Sequence, residues 1–331
     1  MLLTAQIRST PADFIVTEDL SPEFTDEGEH DFLWIEKTGA NTHWVAERLA
    51  EHARVPARDV GYAGLKDRHA ITGQWFSVRR TTGAGCSWDE FAAEGVTILE
   101  TRRHQRKLRR GAHRGNRFRI AMRADDVAAS ADRIEKRLSL IAADGVPNYF
   151  GEQRFGREGR NIALCRALFA GRRMSRNQRS MALSAARAWL FNDILDDRVR
   201  AGTWNKILPG ELANLDGSGS VFAVDEVTPE LERRCIAQDI HPSATLWGTN
   251  APRTTGDLAL LEQRIAARHA DLADGLNAAK VEASTRPLRL RVTDLQWEIE
   301  KDVIWLQFHL VRGSFATAVL REIADASAAP R

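Results

Sequence analysis

Cysteine is scarce: Cys86, Cys165 and Cys235 are the only three in 331 residues. They are scattered, with no C-x-x-C pair, which argues against a disulfide framework and against a cysteine-rich metal site. The expected compartment is a reducing cytoplasm. No run of roughly 18 apolar residues occurs, so no transmembrane helix is expected. Met1 to Ile7 is apolar only briefly and lacks the basic region of a signal peptide, so export is not expected either. Several chemical signatures are also missing. There is no G-x-x-x-x-G-K-[ST] phosphate loop, no G-x-S-x-G elbow and no H-E-x-x-H zinc helix. Single histidines such as His30, His69 and His113 suit surface or core roles better than ligation. No internal repeat is visible.

What is present is a chain that can build a real core and stay soluble, with 43% hydrophobic and 28% charged residues. Its length suits one large domain or two. The formal net charge of +2 hides a strong segregation. Glu18, Asp19, Glu23, Asp26, Glu27, Glu29 and Asp31 form an acidic run. From Arg102 to Arg123 every strong charge is basic. A second basic tract runs from Arg154 to Arg187 against only Glu152 and Glu158. Arginine dominates both, and its planar fork can bind two phosphate oxygens. One such tract alone also suits a solvated helix face; two tracts with so few acids make nucleic acid the leading partner.

The periodicity predicts an α+β order. Asn41 or Thr42 can cap a helix using Val45 and Leu49, stopped by Pro56. Gln74–Val78 and Val96–Leu99 read as short strands. Asn116–Arg123 reads as the clearest strand, with Phe118, Ile120 and Met122 on one face and Arg117, Arg119, Ala121 and Arg123 on the other. Helices are expected over Asp125–Ala143, from a Ser175 cap through Leu195, and over Asp257–Leu272. Strand character returns at Leu288–Val292 and Ile304–Leu310, and Ser314 is placed to cap a last helix through Leu320 and Ile323. This strand, helix, strand order is that of a helical insertion splitting an α+β domain: 1–141 and 290–331 form one domain, with 142–289 between them.

The densest chemical segment is Gly61-Tyr62-Ala63-Gly64-Leu65-Lys66-Asp67-Arg68-His69-Ala70-Ile71-Thr72. Its glycines loosen the backbone, and an acid sits between two cations just before a strand. Neighbouring cations favour the ionised form of a carboxylate, which a nucleophile or a base requires. A turn carrying a surface salt bridge fits the same pattern.

Residues 63–72 closely resemble the signature loop of TruD-type tRNA pseudouridine synthases. The resemblance continues in order through Pro11-Ala12-Asp13-Phe14, Gly115-Asn116-Arg117-Phe118, the run from Val146 to Gly156, Leu183-Ser184-Ala185-Ala186-Arg187, Trp247-Gly248-Thr249 and Gly313-Ser314-Phe315-Ala316-Thr317. It implies a pseudouridine-synthase fold with a central antiparallel sheet, interrupted by a mainly helical TRUD insertion. It implies isomerisation of uridine 13 in certain tRNAs, notably a glutamate tRNA. Asp67 matches the family's catalytic aspartate. Asn116, Phe118, Phe14 and Phe315 match positions lining its active site, and Arg8 aligns loosely with a basic residue near the acid. Lys66, next to Asp67, is added as a substrate-binding candidate, and Arg109, Arg110 and Arg154 as tRNA-binding ones. The reaction breaks the N1–C1′ bond and rejoins the uracil through C5 with no net redox change, so no cofactor and no metal are expected. The detached base suits an aromatic platform such as Phe118 and an amide such as Asn116 that both donates and accepts. The carboxylate can add covalently, or stabilise cationic sugar and remove the C2′ proton. The chain is expected to work as a monomer.

Overall fold

In the computed structural model, which describes residues 3–80 and 86–328 and only the backbone at 157 and 326–328, three strands come first. They are β1 (Leu3–Ile7), β2 (Phe14–Asp19) and β3 (His30–Thr38), followed by helix α1 (Thr42–Ala53). Next are β4 (Val60–Tyr62), β5 (Ile71–Arg79), β6 (Val96–His104) and β7 (Gly115–Arg123). Helix α2 (Ala131–Asp144) and the short β8 (Val146–Pro147) lead to α3 (Arg160–Phe169) and α4 (Arg176–Arg200). Strands β9 (Glu211–Leu215) and β10 (Val221–Val224) precede α5 (Pro229–Ile236), β11 (Ile240–His241) and β12 (Ser243–Leu246). After α6 (Gly256–Arg268) and α7 (Ala270–Ala278) come β13 (Ser284–Pro287), β14 (Arg289–Leu290), β15 (Thr293–Ile299) and β16 (Val303–Val311). The chain closes with α8 (Ala316–Leu320) and β17 (Ala324–Ala328). It gathers into two units, Met1–Ser139 with Val292–Ala316 and Leu320–Arg331, and Leu140–Arg291 with Thr317–Val319.

The first unit is built on a ten-stranded sheet with the central order β15-β16-β7-β2-β5-β3-β6. β4 pairs with β5, and β1 pairs with both β7 and β17. The class is α+β as expected, but the sheet is mixed. β2 runs parallel to β5, and β1 to β17. Neither pair is joined by a tight turn that would impose antiparallel pairing: β3, α1 and β4 intervene in the first, and nearly the whole chain in the second.

Period-two alternation sets the faces. On β7, Ile120 and Met122 are fully buried and stand opposite Leu306 and Ile304 of β16. Phe118 stands opposite Phe308, and their rings stack at 5.3 Å. On the other face Arg119 lies over the Trp305 ring at 4.2 Å. Helix α1 covers the sheet with Val45 and Leu49, which pack with Leu33, Ile35 and Phe76. Each such fully buried side chain is worth about 1.5–3 kcal/mol.

The second unit packs α3, α4, α6 and α7 around Ile162, Ala186, Leu190, Ile194, Ile265 and Leu276. Beside them stand a three-stranded sheet, β10-β9-β11, and the ribbon β12-β13. Ser175 caps α4 as expected, in a capping box with Gln178.

Several boundaries differ from the sequence reading, among them the strand expected over Val96–Leu99, which runs on to His104. Helix α2 begins at Ala131, not Asp125, because Asp126 adopts φ 58° and a 3-10 turn occupies Ala128–Ser130. The helix expected over Asp257–Leu272 is two helices, broken where His269 leaves helical geometry at φ −125°, ψ 45°. The strand expected over Leu288–Val292 shrinks to Arg289–Leu290, because its ladder partner Val146–Pro147 is only two residues long. The last helix stops at Leu320, and Ala324–Ala328 instead pairs with β1. A ladder there satisfies backbone groups that a short terminal helix would leave unpaired.

Candidate active site

The signature loop joins β4 to β5, and three polar contacts fix its shape. The Thr42 hydroxyl donates to Gln74 Oε1 at 2.9 Å and accepts the Lys66 N–H at 3.0 Å. Gln74 Nε2 donates to the Gly64 carbonyl at 3.1 Å. Asn41 therefore holds the cap position of α1 without a side-chain bond, while Thr42 turns inward to the loop. From below, the buried Lys37 ammonium donates to the carbonyls of Ala40 at 2.7 Å and Asp67 at 3.2 Å. Burial lowers its pKa to about 8, with Asp67 opposing the shift and Lys66 adding to it.

The Asp67 carboxylate is partly exposed, at 29%. Oδ1 accepts the His69 N–H at 2.9 Å, and Oδ2 pairs with Arg8 Nη2 at 2.6 Å. Arg8, just past β1, has φ 59°, a left-handed conformation that costs a non-glycine residue about 1–2 kcal/mol. Its guanidinium lies over the Phe14 ring at 4.2 Å. Phe14 meets Phe118 edge-on, with centroids 6.4 Å apart. The register carries the row onward, setting Glu18 of β2 opposite Asn116 of β7. Asn116 Oδ1 is buried with no hydrogen-bond partner among the described residues. An unmet acceptor of this kind costs about 1–3 kcal/mol, which a ligand N–H would recover. Next to Asp67, Lys66 points inward and pairs with Glu18 at 2.7 Å, both side chains at most 4% exposed. Burial raises the Glu18 pKa, with the Lys66 charge and hydrogen bond opposing it.

Asp67, Arg8, Phe14, Phe118, Asn116 and Lys66 are thus linked through β1, β2, β7 and one loop. A carboxylate held at both oxygens, whose arginine partner lies over the first of two packed aromatic rings, suits a site that presents a planar heterocycle to a nucleophile or base. A sequence model described as tRNA pseudouridine synthase D (TruD) matches residues 3–168 and 166–323. The chain is 46% identical over 323 residues to tRNA pseudouridine synthase D of Methylococcus capsulatus, covering 97% of this chain and 91% of that protein. It is 43% identical over 365 residues to the protein of the same name from Psychrobacter arcticus, with 97% and 91% covered. The chain belongs to the TruD family of tRNA pseudouridine synthases. Its fold matches a crystal structure of tRNA pseudouridine synthase D from Methanosarcina mazei with a TM-score of 0.78, at 20% identity, over 98% of this chain and 94% of that one.

Four further TruD candidates stand on other segments. Phe315 is half-buried between β16 and α8. Arg109 and Arg110 are exposed and line a cleft of about 360 Å³ with Lys107, Tyr62, His43 and Glu47. Arg110 lies over the Tyr62 ring at 3.8 Å and donates to its hydroxyl at 2.5 Å. Arg154 belongs to the second unit, where it donates to Ser184 Oγ at 3.0 Å. Part of the first basic tract is answered by the chain's own acids. Arg102 makes two 2.7 Å bonds to Asp26, Arg123 pairs with Asp13 at 2.7 Å and Arg117 with Asp294 at 3.0 Å. On the polar face of β7, Arg117 and Arg123 are thus each engaged by an acid of another segment. Arg187 is likewise internal, donating to the carbonyls of Leu246, Trp247 and Glu282. No helix is long and apolar enough to cross a membrane among the described residues. All three cysteines are free.

Sequence reasoning missed Lys37, and missed Glu18 as the partner of Lys66. Both carried a signal: Lys37 follows Leu33 and Ile35 at every second position, and Glu18 follows Phe14 and Val16 in the same way. A charge at an inward position of a strand needs a partner.

Proposed function

We propose that this protein converts uridine 13 of certain tRNAs, notably a glutamate tRNA, to pseudouridine, with Asp67 as the catalytic carboxylate. The observation that carries the reading is the fixed Asp67 carboxylate, 2.6 Å from Arg8, whose guanidinium lies over the first ring of the Phe14–Phe118 pair. In this reading Arg8 holds and aims the Asp67 carboxylate, and Phe14, Phe118 and Phe315 line the uracil. The unpaired Oδ1 of Asn116 accepts an N–H from the base while it turns. Lys66 supports the loop through Glu18. Residues 1–141 and 290–331 form the catalytic domain, with 142–289 as the insertion. Arg109, Arg110 and Arg154 bind tRNA phosphates, offsetting the few kcal/mol needed to unstack the target base. Glycosidic cleavage and C5 rejoining are isomerisation, so the reaction as proposed consumes no external group. The chain acts as a cytoplasmic monomer.

The test is Asp67→Asn, which removes the charge and nearly keeps the shape. The variant should fold and bind tRNA about as well as the parent, yet release no tritium from [5-³H]uridine-labelled glutamate tRNA. Losing an essential nucleophile or base usually costs several powers of ten. Turnover within about tenfold of the parent would overturn the assignment.

A further inference from the structure

Lys37 is the most deeply buried lysine of the first unit, 1% exposed on β3, and it makes no ion pair among the described residues. Its side chain continues the inward face of Leu33 and Ile35, where an apolar residue would fit the core. A buried ammonium without a carboxylate partner is costly. It ends on two carbonyls, one at Ala40 just before α1 and the other at Asp67 itself. The chain segments it joins are far apart in sequence, and Asp67 lies at the tip of a loop with no ladder of its own. Arg68 repeats the link from outside, donating Nε to the Gly39 carbonyl at 3.0 Å.

We propose that Lys37 is a positioning residue, whose ammonium clamps the Asp67 peptide onto the α1 entry and so fixes where the carboxylate stands. The inference rests on Asp67 being the catalytic carboxylate. Three donors on one compact head suit a site where two carbonyls must be gathered, and its ammonium holds the Asp67 main chain while Arg8 holds the carboxylate. The charged groups facing Lys37 are Asp67 and Lys66, both on the loop. Its ladder neighbours, Thr72 on β5 and Val96 on β6, do not titrate in the working range. Because burial holds its pKa at about 8, the clamp's charge is present at neutral pH and lost on mild alkalinisation.

Lys37→Met removes both hydrogen bonds and keeps the stem. With transcribed glutamate tRNA as probe, kcat at pH 7 should fall about 10- to 100-fold, the scale of a small misplacement at a reacting centre. The tRNA Kd should stay within about twofold, because the phosphate contacts remain. Amide exchange at His69 N–H should quicken as the loop loosens. A folded Lys37→Met protein with kcat within about twofold of the parent overturns the proposal. If that variant does not fold, Lys37→Gln decides. Its neutral amide should give a kcat flat from pH 7 to about 9.5, where the parent's falls through a step near 8. A step of the same size in both proteins overturns the proposal. An active Asp67→Asn protein would sink the reading of Asp67; an inactive one, beside a fully active Lys37→Met, sinks only the clamp.

Discussion

At the scale of single residues, the site depends on charges placed where apolar side chains would pack. Glu18 is fully buried on the row that also carries Phe14 and Val16, and Lys66 is its only ionic partner among the described residues. Truncating one member of such a pair leaves an uncompensated charge, typically costing about 3–5 kcal/mol. Lys66→Met should therefore lower the free energy of unfolding by roughly that amount at pH 7. The pH dependence follows from Glu18, whose pKa is raised by burial. A carboxyl with a folded pKa above its unfolded one contributes stability at low pH and loses it as pH rises through the folded value. Without Lys66 that value climbs further, so the deficit of Lys66→Met should shrink at pH 5. Glu18→Gln in the same chain should recover most of it. Urea unfolding of the single and double variants at the two pH values checks this; an equal deficit at both would show that Glu18 is not the stranded group.

At the scale of elements, helix ends decide more than helix interiors. Helix α4 spans Arg176–Arg200 and supplies the central stripe of its unit through Ala182, Ala186, Leu190 and Ile194. Its start is fixed by the Ser175–Gln178 capping box, in which Ser175 Oγ accepts the Gln178 N–H at 3.3 Å. Ser175→Ala removes that acceptor and should cost about 1 kcal/mol of stability. Turnover should be unchanged, since Ser175 touches none of the site residues. At α1 the same chemistry is spent differently. Thr42 could have served the helix but gives its hydroxyl to Gln74 and Lys66, so the loop is ordered in place of the cap. Helix α1 still stands because Val45 and Leu49 are wholly buried.

At the scale of the whole molecule, the acidic and basic runs meet within the first unit. β3 and β6 pair in the sheet, bringing Asp26 to Arg102 and the Gly28 carbonyl to Arg103 Nη2 at 2.9 Å. A count of arginines therefore overstates the charge available to phosphate. Arg109 and Arg110 are exposed and have no acidic partner among the described residues. Neutralising both should weaken tRNA binding and flatten the plot of log K against log salt by up to about two units. Arg102→Gln should leave that slope unchanged, because its fork is already filled by Asp26. Binding measured at several salt concentrations separates the two, and equal slopes in all three proteins would remove this pair from the phosphate contacts.

The sequence by itself determined the strands and helices whose pattern is long and whose partners are regular. The strand expected over Asn116–Arg123 forms as Gly115–Arg123 and pairs along its whole length with β16; the Ser175 cap is written in two side chains. It also marked the Asp67 loop, because acid, cations and glycines are adjacent in the chain. Tertiary structure alone decided what depends on distant segments. Parallel pairing of β1 with β17 joins segments far apart in the chain, and it makes a strand of Ala324–Ala328, just past the helix expected through Ile323. The same holds for charge: whether Arg102, Arg117 and Arg123 are free cannot be read from their own segment, since Asp26, Asp294 and Asp13 lie elsewhere in the chain. Arg8 reaches Asp67 across nearly sixty positions, through a left-handed turn of backbone that no local propensity favours. Periodicity reports which face a residue occupies, while only the folded sheet fixes which residue it meets there.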